Sequence, residues 1–214
     1  MSLPQALHGL PWSAPALTKS RRLAALVILP LILAASAVTQ VSTPAAAQAS
    51  TCGGGDTWSV KIGTDPQAGR VNLSPTPSTV AQLAALPLPS RIRHRVSPTE
   101  FTVYTITANV TNIYHEHDRD LHLAIGDSSG HRMISELPDL SCVPQSSPFY
   151  SGISQAHAEL AAWPRHFPVT VQITGVGFFD AYSGQPGQAH NQIELHPILN
   201  LVFNATAAKA PAAP

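Results

Sequence analysis

The sequence predicts a mainly β protein built around one small closed barrel. Three strand-like segments with a two-residue period follow residue 101, one helical segment comes next, and two further strand-like segments complete the pattern. Three strands, a helix and two strands is the order of the OB-fold, a five-stranded barrel that closes its own edges. We therefore predict an OB-fold-like barrel, residues 101–204, with one helix between strands 3 and 4 and an irregular N-terminal arm.

Residues 1–47 have the composition of a signal peptide. Lys19, Arg21 and Arg22 precede an apolar run, residues 23–37, that is short and interrupted by proline. Small residues suited to cleavage follow at positions 35–37 and 45–49. We predict a secreted or periplasmic protein without a membrane span after signal cleavage, and the alternative is an uncleaved membrane anchor.

The charge balance bears on the class of partner. Nine of the twelve Lys and Arg residues but all twelve Asp and Glu residues follow residue 47, which leaves the exported part with a formal charge of −3. General nucleic-acid binding depends on neutralising phosphates with basic residues, so nucleic acid is not the expected partner. The only basic run, residues 91–95, is predicted to be a loop.

The N-terminal arm, residues 48–100, contains a short predicted helix. Thr76 is a suitable N-cap with Pro77 at the first helical position, and Pro87 ends the segment. Cys52 in the arm and Cys142 in the barrel are the only cysteines, and in an oxidising compartment they predict one disulfide. A lipid-modified Cys52 is the competing interpretation.

The first three barrel strands begin at Phe101. Apolar residues alternate with polar ones as far as Val110, and the apolar phase then shifts by one residue at Ile113, which predicts a bulge or bend. The segment "DLHLAIGD" is the second strand, "DSSG" is a turn, and "HRMISELP" is the third strand, which ends at Pro138.

The helix and the last two strands follow. Ile153, His157 and Leu160 recur at helical spacing in residues 151–163, and a proline closes that helix. "PVTVQITGVGFF" predicts a long fourth strand that two glycines allow to curve, and "QIELHPILNLVF" predicts the fifth. The last ten residues, 205–214, have the composition of a disordered tail.

Several of these segments resemble a group of exported bacterial proteins. The similar residues span Lys61 to Phe203, nearly the whole exported part, and are Thr102–Tyr104, Asp120–Leu123 with Asp127, Thr174–Asp180, Gly184, Gln185, Gly187, Asn191 and Ile193–Pro197. The resemblance implies a single exported domain with an OB-like barrel. It implies no activity.

Two strand segments each place an acid and a histidine two residues apart. These pairs are Asp120 with His122 and Glu194 with His196. Because residues i and i+2 of a strand point the same way, each pair forms a polar patch opposite the leucines. Imidazole and carboxylate together suit a divalent metal such as zinc, and we predict these four residues as metal ligands. The alternative is that each pair is a hydrogen-bonded structural feature of a strand end.

Four residues in bordering loops are candidates for ligand binding: Asp118, Asp127, Asp180 and His190. No catalytic motif such as HExxH or GxSxG is present. The first prediction is therefore a module that binds a small molecule, a saccharide or a protein partner, with a divalent metal as its one candidate cofactor. The alternative is a metal-dependent hydrolase of phosphoesters or other esters that uses the Asp/His and Glu/His pairs.

Overall fold

The computed structural model describes residues 51–53, 55–90, 94–164 and 166–204. The predicted signal peptide and C-terminal tail, and part of the basic run, lie outside the described residues. Within these four ranges, no helix has both the length and the apolar character needed to cross a membrane.

The described residues form a closed barrel of five strands with a sixth strand beside it. The strands are β1 (Asn72–Pro77), β2 (Thr102–His115), β3 (Leu121–Gly126), β4 (Arg132–Leu137), β5 (Val169–Phe179) and β6 (Ile193–Phe203). β2, β3 and β4 pair antiparallel in order, β4 pairs parallel with β6, and β6 pairs antiparallel with β5. Antiparallel pairing of β5 with β2 closes the barrel, as the predicted order requires.

The alternating residues of these strands fill the barrel. Ile106, Ala108 and Val110 of β2 belong to the hydrophobic core, as the two-residue period predicts. The pairing with β3 shifts register between Val110 and Asn112, which confirms the predicted bulge. The bulge lets this strand of 14 residues bend and pair with β3 and β5 in the barrel.

A helix packs against the barrel between β4 and β5. This helix, α3 (Tyr150–Ala162), buries Ile153, Ala156 and Leu160 in the core. Gly152 lies so close to β6 that an added Cβ would be 2.9 Å from the Leu199 side chain, so a larger residue would push the helix away. The predicted helix is therefore confirmed, and its side toward the barrel is the predicted apolar stripe.

The N-terminal arm is more regular than predicted. It contains α1 (Trp58–Lys61), β1 and α2 (Val80–Ala84). The predicted N-cap was wrong: Thr76 pairs with Tyr104 as part of β1, and Thr79 caps α2 by accepting a hydrogen bond from the Gln82 N–H. Thr79 has the extended backbone that an N-cap needs and directly precedes the first residue of α2.

A disulfide fixes the arm to the barrel, and buried ionic contacts hold the parts of the arm together. The predicted Cys52–Cys142 disulfide is present, with 5.5 Å between the two Cα atoms. The buried guanidinium of Arg95 donates to the Asp65 carboxylate at 2.7 Å, and to the carbonyl oxygens of Val60 and Glu100. The Arg95 contacts connect α1 to the residues that lead into β2.

The buried carboxyl group of Glu100 also connects the arm to the barrel. We expect it to make the free energy of unfolding depend on pH. Its carboxylate accepts hydrogen bonds at 2.7 Å from the N–H groups of Val96 and Phe179. Burial raises the pKa of Glu100 to about 7, although these N–H groups and Arg95 oppose the shift. A carboxyl in an unfolded chain ionises near pH 4.3, so the folded state binds this proton more tightly.

The stabilising contribution of the Glu100 proton is complete below about pH 4 and disappears as the pH rises through 7. Between pH 5 and 8 we expect the unfolding free energy of the wild type to fall, relative to that of Glu100→Gln, by about 3 kcal/mol. Urea unfolding of both proteins across this range measures the difference. Parallel pH curves for the two proteins would contradict the assignment.

Candidate metal centre

The candidate site lies on the outer surface of the barrel wall. Leu123, Leu137 and Leu195 belong to the hydrophobic core, and the residues that alternate with them point outward. Those outward residues are polar yet almost fully buried: His122, Glu136, Glu194 and His196, with Asp120 just before β3. The arm and the β5–β6 loop cover them.

A tight loop positions Asp120. The Glu116 N–H donates to the Asp120 carbonyl oxygen at 2.9 Å, and the Asp118 carboxylate accepts from the Asp120 N–H at 3.3 Å. Arg119 takes a left-handed conformation, with φ of 77°, to complete the reversal between β2 and β3. The loop therefore places Asp120 just before β3, and the Asp120 side chain is fully buried there.

Strand register brings the two predicted pairs together through Glu136. In the β3–β4 hairpin His122 lies directly opposite Glu136, and β4 in turn runs parallel to β6, which carries Glu194 and His196. The Glu136 carboxylate contacts both imidazoles: its Oε2 is 2.8 Å from His196 Nδ1 and its Oε1 is 3.5 Å from His122 Nδ1. The Asp/His and Glu/His pairs thus form one cluster.

Three of these residues have the arrangement of a metal site. Asp120, Glu136 and His196 each offer one ligand atom, and the three atoms lie within 4.8 Å of one another. His196 Nε2 is 3.2 Å from the Asp120 carboxylate. Both His196 ring nitrogens and both Asp120 carboxylate oxygens have no well-directed hydrogen-bond partner among the described residues. We call these three residues the trio.

The arm supplies a positive charge beside the trio. The Lys61 ammonium lies 2.9 Å from the Asp180 carboxylate and 3.4 Å from that of Glu136, and 5.5 Å above the Phe178 ring. Burial alone would lower the pKa of Lys61, but the carboxylates of Glu136, Asp180 and Glu194 outweigh burial and raise it. Lys61 is therefore a permanent cation at this site.

The cluster holds more acid than Lys61 can neutralise. Burial raises the pKa of Asp120, and burial next to Glu136 raises that of Glu194 well above its ordinary value. Burial also acts to raise the pKa of Glu136, but its contacts with His122, His196 and Lys61 prevail and lower it strongly. Several buried carboxylates beside a single ammonium group need added positive charge, either as protons or as a metal ion.

The contacts of His196 also require added positive charge. Each of its ring nitrogens faces a carboxylate oxygen, whereas a neutral imidazole carries one N–H and one lone pair. Burial and Lys61 lower the pKa of His196, and the carboxylates of Asp120 and Glu136 outweigh them and raise it. Either the ring is protonated, or one nitrogen binds a cation while the other donates its N–H to a carboxylate. The second arrangement is the usual one for metal-binding histidines.

A cleft leads from the solvent to this cluster. Its volume is about 420 Å³, and its walls come from the residue 51–53 segment, the β2–β3 loop and the β5–β6 loop. Lys61, Glu116, Glu136 and Asp180 line it, so Glu136 belongs both to the trio and to the cleft wall. Tyr182 stands at the cleft with its side chain largely exposed.

The structure places the predicted ligand-binding residues in different surroundings. Asp118 and Asp180 line the cleft. Asp127 lies at the β3–β4 turn, where it contacts His131 at 2.9 Å beside a separate groove. His190 is exposed on the β5–β6 loop.

The four predicted metal ligands all belong to the cluster. Asp120 and His196 are members of the trio. His122 contacts Glu136, and Glu194 Oε2 lies 4.0 Å from His196 Nδ1.

Sequence reasoning missed Glu136, Glu116 and Lys61. Counting outward from the predicted turn, residues 127–130, would have placed Ser135 opposite His122, because cross-strand partners are equally distant from a hairpin turn. The connection is one residue longer, since Gly126 pairs with Arg132, and His122 therefore meets Glu136. Glu116 stands in the histidine-rich stretch before β3, which was predicted as loop. No signal in the sequence marked Lys61, since its approach depends on the path of the arm.

Comparisons with known proteins give no family. No family model matches this chain, and no curated protein matches it. A solved chain assigned as an aspartyl-tRNA synthetase from Leishmania major Friedlin is similar at 14% identity and a TM-score of 0.39, over 64% of this chain and 22% of that one. An OBody bound to hen egg-white lysozyme is similar at 12% identity and a TM-score of 0.36, over 51% of this chain and 87% of that one. This chain spans about a fifth of the length of the synthetase chain.

Proposed function

We propose that the protein is an exported binding module that holds a divalent cation on Asp120, Glu136 and His196 and binds a small polar ligand in the cleft. The observation that supports the cation most strongly is the trio itself, in which both ring nitrogens of His196 and both carboxylate oxygens of Asp120 are buried without well-directed hydrogen bonds among the described residues. Imidazole with carboxylates suits zinc or another divalent first-row metal.

The position of the cleft supports the binding part of the proposal. OB-folds bind ligands on the face of their second and third strands, between the loops that follow strands 1 and 4. Here β3 and β4 carry the cluster, and the β2–β3 and β5–β6 loops form the cleft walls. A volume of about 420 Å³ is within the range of small-molecule sites. A saccharide is the ligand class we favour, because Tyr182 offers an exposed ring next to carboxylate and amide groups.

Metal content tests the cation. We expect the purified protein, exchanged into Zn²⁺ or Mn²⁺ and dialysed, to retain metal, and we expect His196→Gln and Asp120→Asn to lose the metal on the trio. His131→Gln and Asp127→Asn are matched controls, because they alter an exposed His–Asp pair outside the cleft. Circular dichroism shows whether each variant is folded. Equal metal content in the trio variants and in the controls would contradict the proposal.

A metal-dependent hydrolase is the second candidate function. It is favoured by the position of Glu136, which would present a metal bound to the trio toward an open cleft. Glu116 and Asp118 in the cleft wall are the candidate general bases. The test is metal-dependent release of p-nitrophenol from p-nitrophenyl phosphates and esters, lost in His196→Gln and kept in His131→Gln. Bound metal without hydrolysis of any of these substrates would contradict the hydrolase function.

Export is supported by the disulfide, since such bonds persist in oxidising compartments. We expect expression with export to give a mature protein that begins after residue 47, with Cys52 and Cys142 oxidised. Intact mass of the secreted product measures both features. A product that retains the first 47 residues would contradict the predicted signal peptide.

A further inference from the structure

The tautomer of His122 is fixed by one backbone group. His122 Nε2 lies 2.8 Å from the Pro186 carbonyl oxygen, which can only accept, so Nε2 carries a hydrogen. Gly187, with φ of 93°, allows the β5–β6 loop to pack this closely on β3, because an added Cβ there would lie 3.2 Å from that of Ala124. In the neutral ring, Nδ1 therefore presents its lone pair.

That lone pair faces two carboxylates. His122 Nδ1 lies 3.4 Å from Glu116 Oε1 and 3.5 Å from Glu136 Oε1. The His122 side chain is fully buried, and Nδ1 has no well-directed hydrogen bond to any residue in the described ranges. A buried imidazole lone pair that faces two carboxylate oxygens is repelled by both unless a positive charge lies between them.

Both carboxylates also line the cleft. Glu116 and Glu136 are wall residues, so the carboxylates that face His122 Nδ1 border the cleft, whereas Asp120 and His196 are fully buried and do not line it. The ring of Tyr114 meets the His122 ring edge to face, with centroids 5.5 Å apart, and this contact fixes the orientation of the imidazole. The second group of acceptors is therefore ordered and lies nearer to the solvent.

Glu136 links the two groups, one through each of its carboxylate oxygens. Its Oε2 lies at His196, whose other neighbour is Asp120, and its Oε1 lies at His122, whose other neighbour is Glu116. Each half thus contains one imidazole, one carboxylate of its own and one oxygen of the shared carboxylate. A carboxylate between two such halves could serve two-metal chemistry of the kind in which the ions lie about 3.5–4 Å apart.

We infer that Glu116, His122 and Glu136 form a second divalent-cation site, which faces the cleft and shares Glu136 with the trio. This inference rests on the proposed function, because it adds a second cation to the one on the trio. Imidazole with two carboxylates favours zinc or manganese for this position as well. The second cation is the one that a ligand in the cleft would contact.

Manganese titration of the purified protein tests the inference. We expect two equivalents of Mn²⁺ in isothermal titration, and an electron paramagnetic resonance spectrum of coupled ions when both sites are filled. Glu116→Gln and His122→Phe should each retain one equivalent with an uncoupled spectrum. His196→Gln should lose the trio ion. His131→Gln, in the exposed pair with Asp127, should retain two equivalents and the coupling.

The outcomes separate the two proposals. One equivalent in the wild type, unchanged by Glu116→Gln and lost in His196→Gln, would overturn the second site and leave the trio intact. No bound metal in the wild type would overturn both, and would identify the cluster as a network held by protons. Weak binding that is equal in all variants, including His131→Gln, would also overturn both, since it would show adventitious binding only.

Discussion

Removing the Cys52–Cys142 disulfide is expected to lower the free energy of unfolding by about 4–5 kcal/mol, because the bond closes a loop with a sequence separation of 90 residues. The unfolded chain gains entropy when so long a loop is opened, while the contacts of the folded barrel remain. The bond also fixes the segment next to Thr51 and Gly53, both of which line the cleft. Urea unfolding of the Cys52→Ser/Cys142→Ser double variant measures the loss.

The reduced wild type is the matched control for this double variant, since it lacks the bond but keeps both sulfur atoms. Both proteins should unfold at the same lower urea concentration, and both should keep the circular dichroism spectrum of the barrel. A loss below about 1 kcal/mol would contradict the expectation that the bond constrains the unfolded chain.

Lys61→Met is expected to lower the free energy of unfolding by about 3–5 kcal/mol in metal-free protein, because it leaves buried carboxylates without their cation. Lys61 is buried and contacts Glu136 and Asp180, and Met fills a similar volume without the charge. Part of the loss is the contact of the ammonium with the Phe178 ring. Urea unfolding in the presence of a chelator measures it.

Arg119→Met is the control for Lys61→Met. Arg119 pairs with Asp139 at 2.8 Å, but both side chains are about one-third exposed, so its loss should cost about 0–1 kcal/mol. Added Zn²⁺ should restore part of the stability of Lys61→Met, because the metal supplies the missing charge. Equal losses for the two variants would show that the cluster does not depend on Lys61 for its charge balance.

The sequence was a good guide to the barrel because strands that bury one face alternate residue by residue. The slip of the apolar phase after Val110 identified the bulge, and Pro138 marked the end of β4, although β6 continues through Pro197. The arm was harder to predict. Residues 72–77 contain two prolines and are exposed throughout, so nothing in their pattern indicates the edge strand they form against β2.

The candidate site was predictable only in part. Spacing within one strand placed Asp120 with His122 and Glu194 with His196, because that inference needs no knowledge of tertiary structure. The meeting of the two pairs depends on β4, which lies between β3 and β6 and contributes Glu136. The contribution of Lys61 depends on the path of the arm, which long-range contacts such as Arg95 with Asp65 determine.

Anomalous diffraction tests the central claim most directly. Crystals of the protein grown with Mn²⁺ or Zn²⁺, measured at the absorption edge of the metal, should show a peak within about 2.0–2.2 Å of a His196 ring nitrogen and a Glu136 carboxylate oxygen. Well-ordered side chains of Asp120, Glu136 and His196 without an anomalous peak between them, at metal concentrations well above those in solution tests, would contradict it.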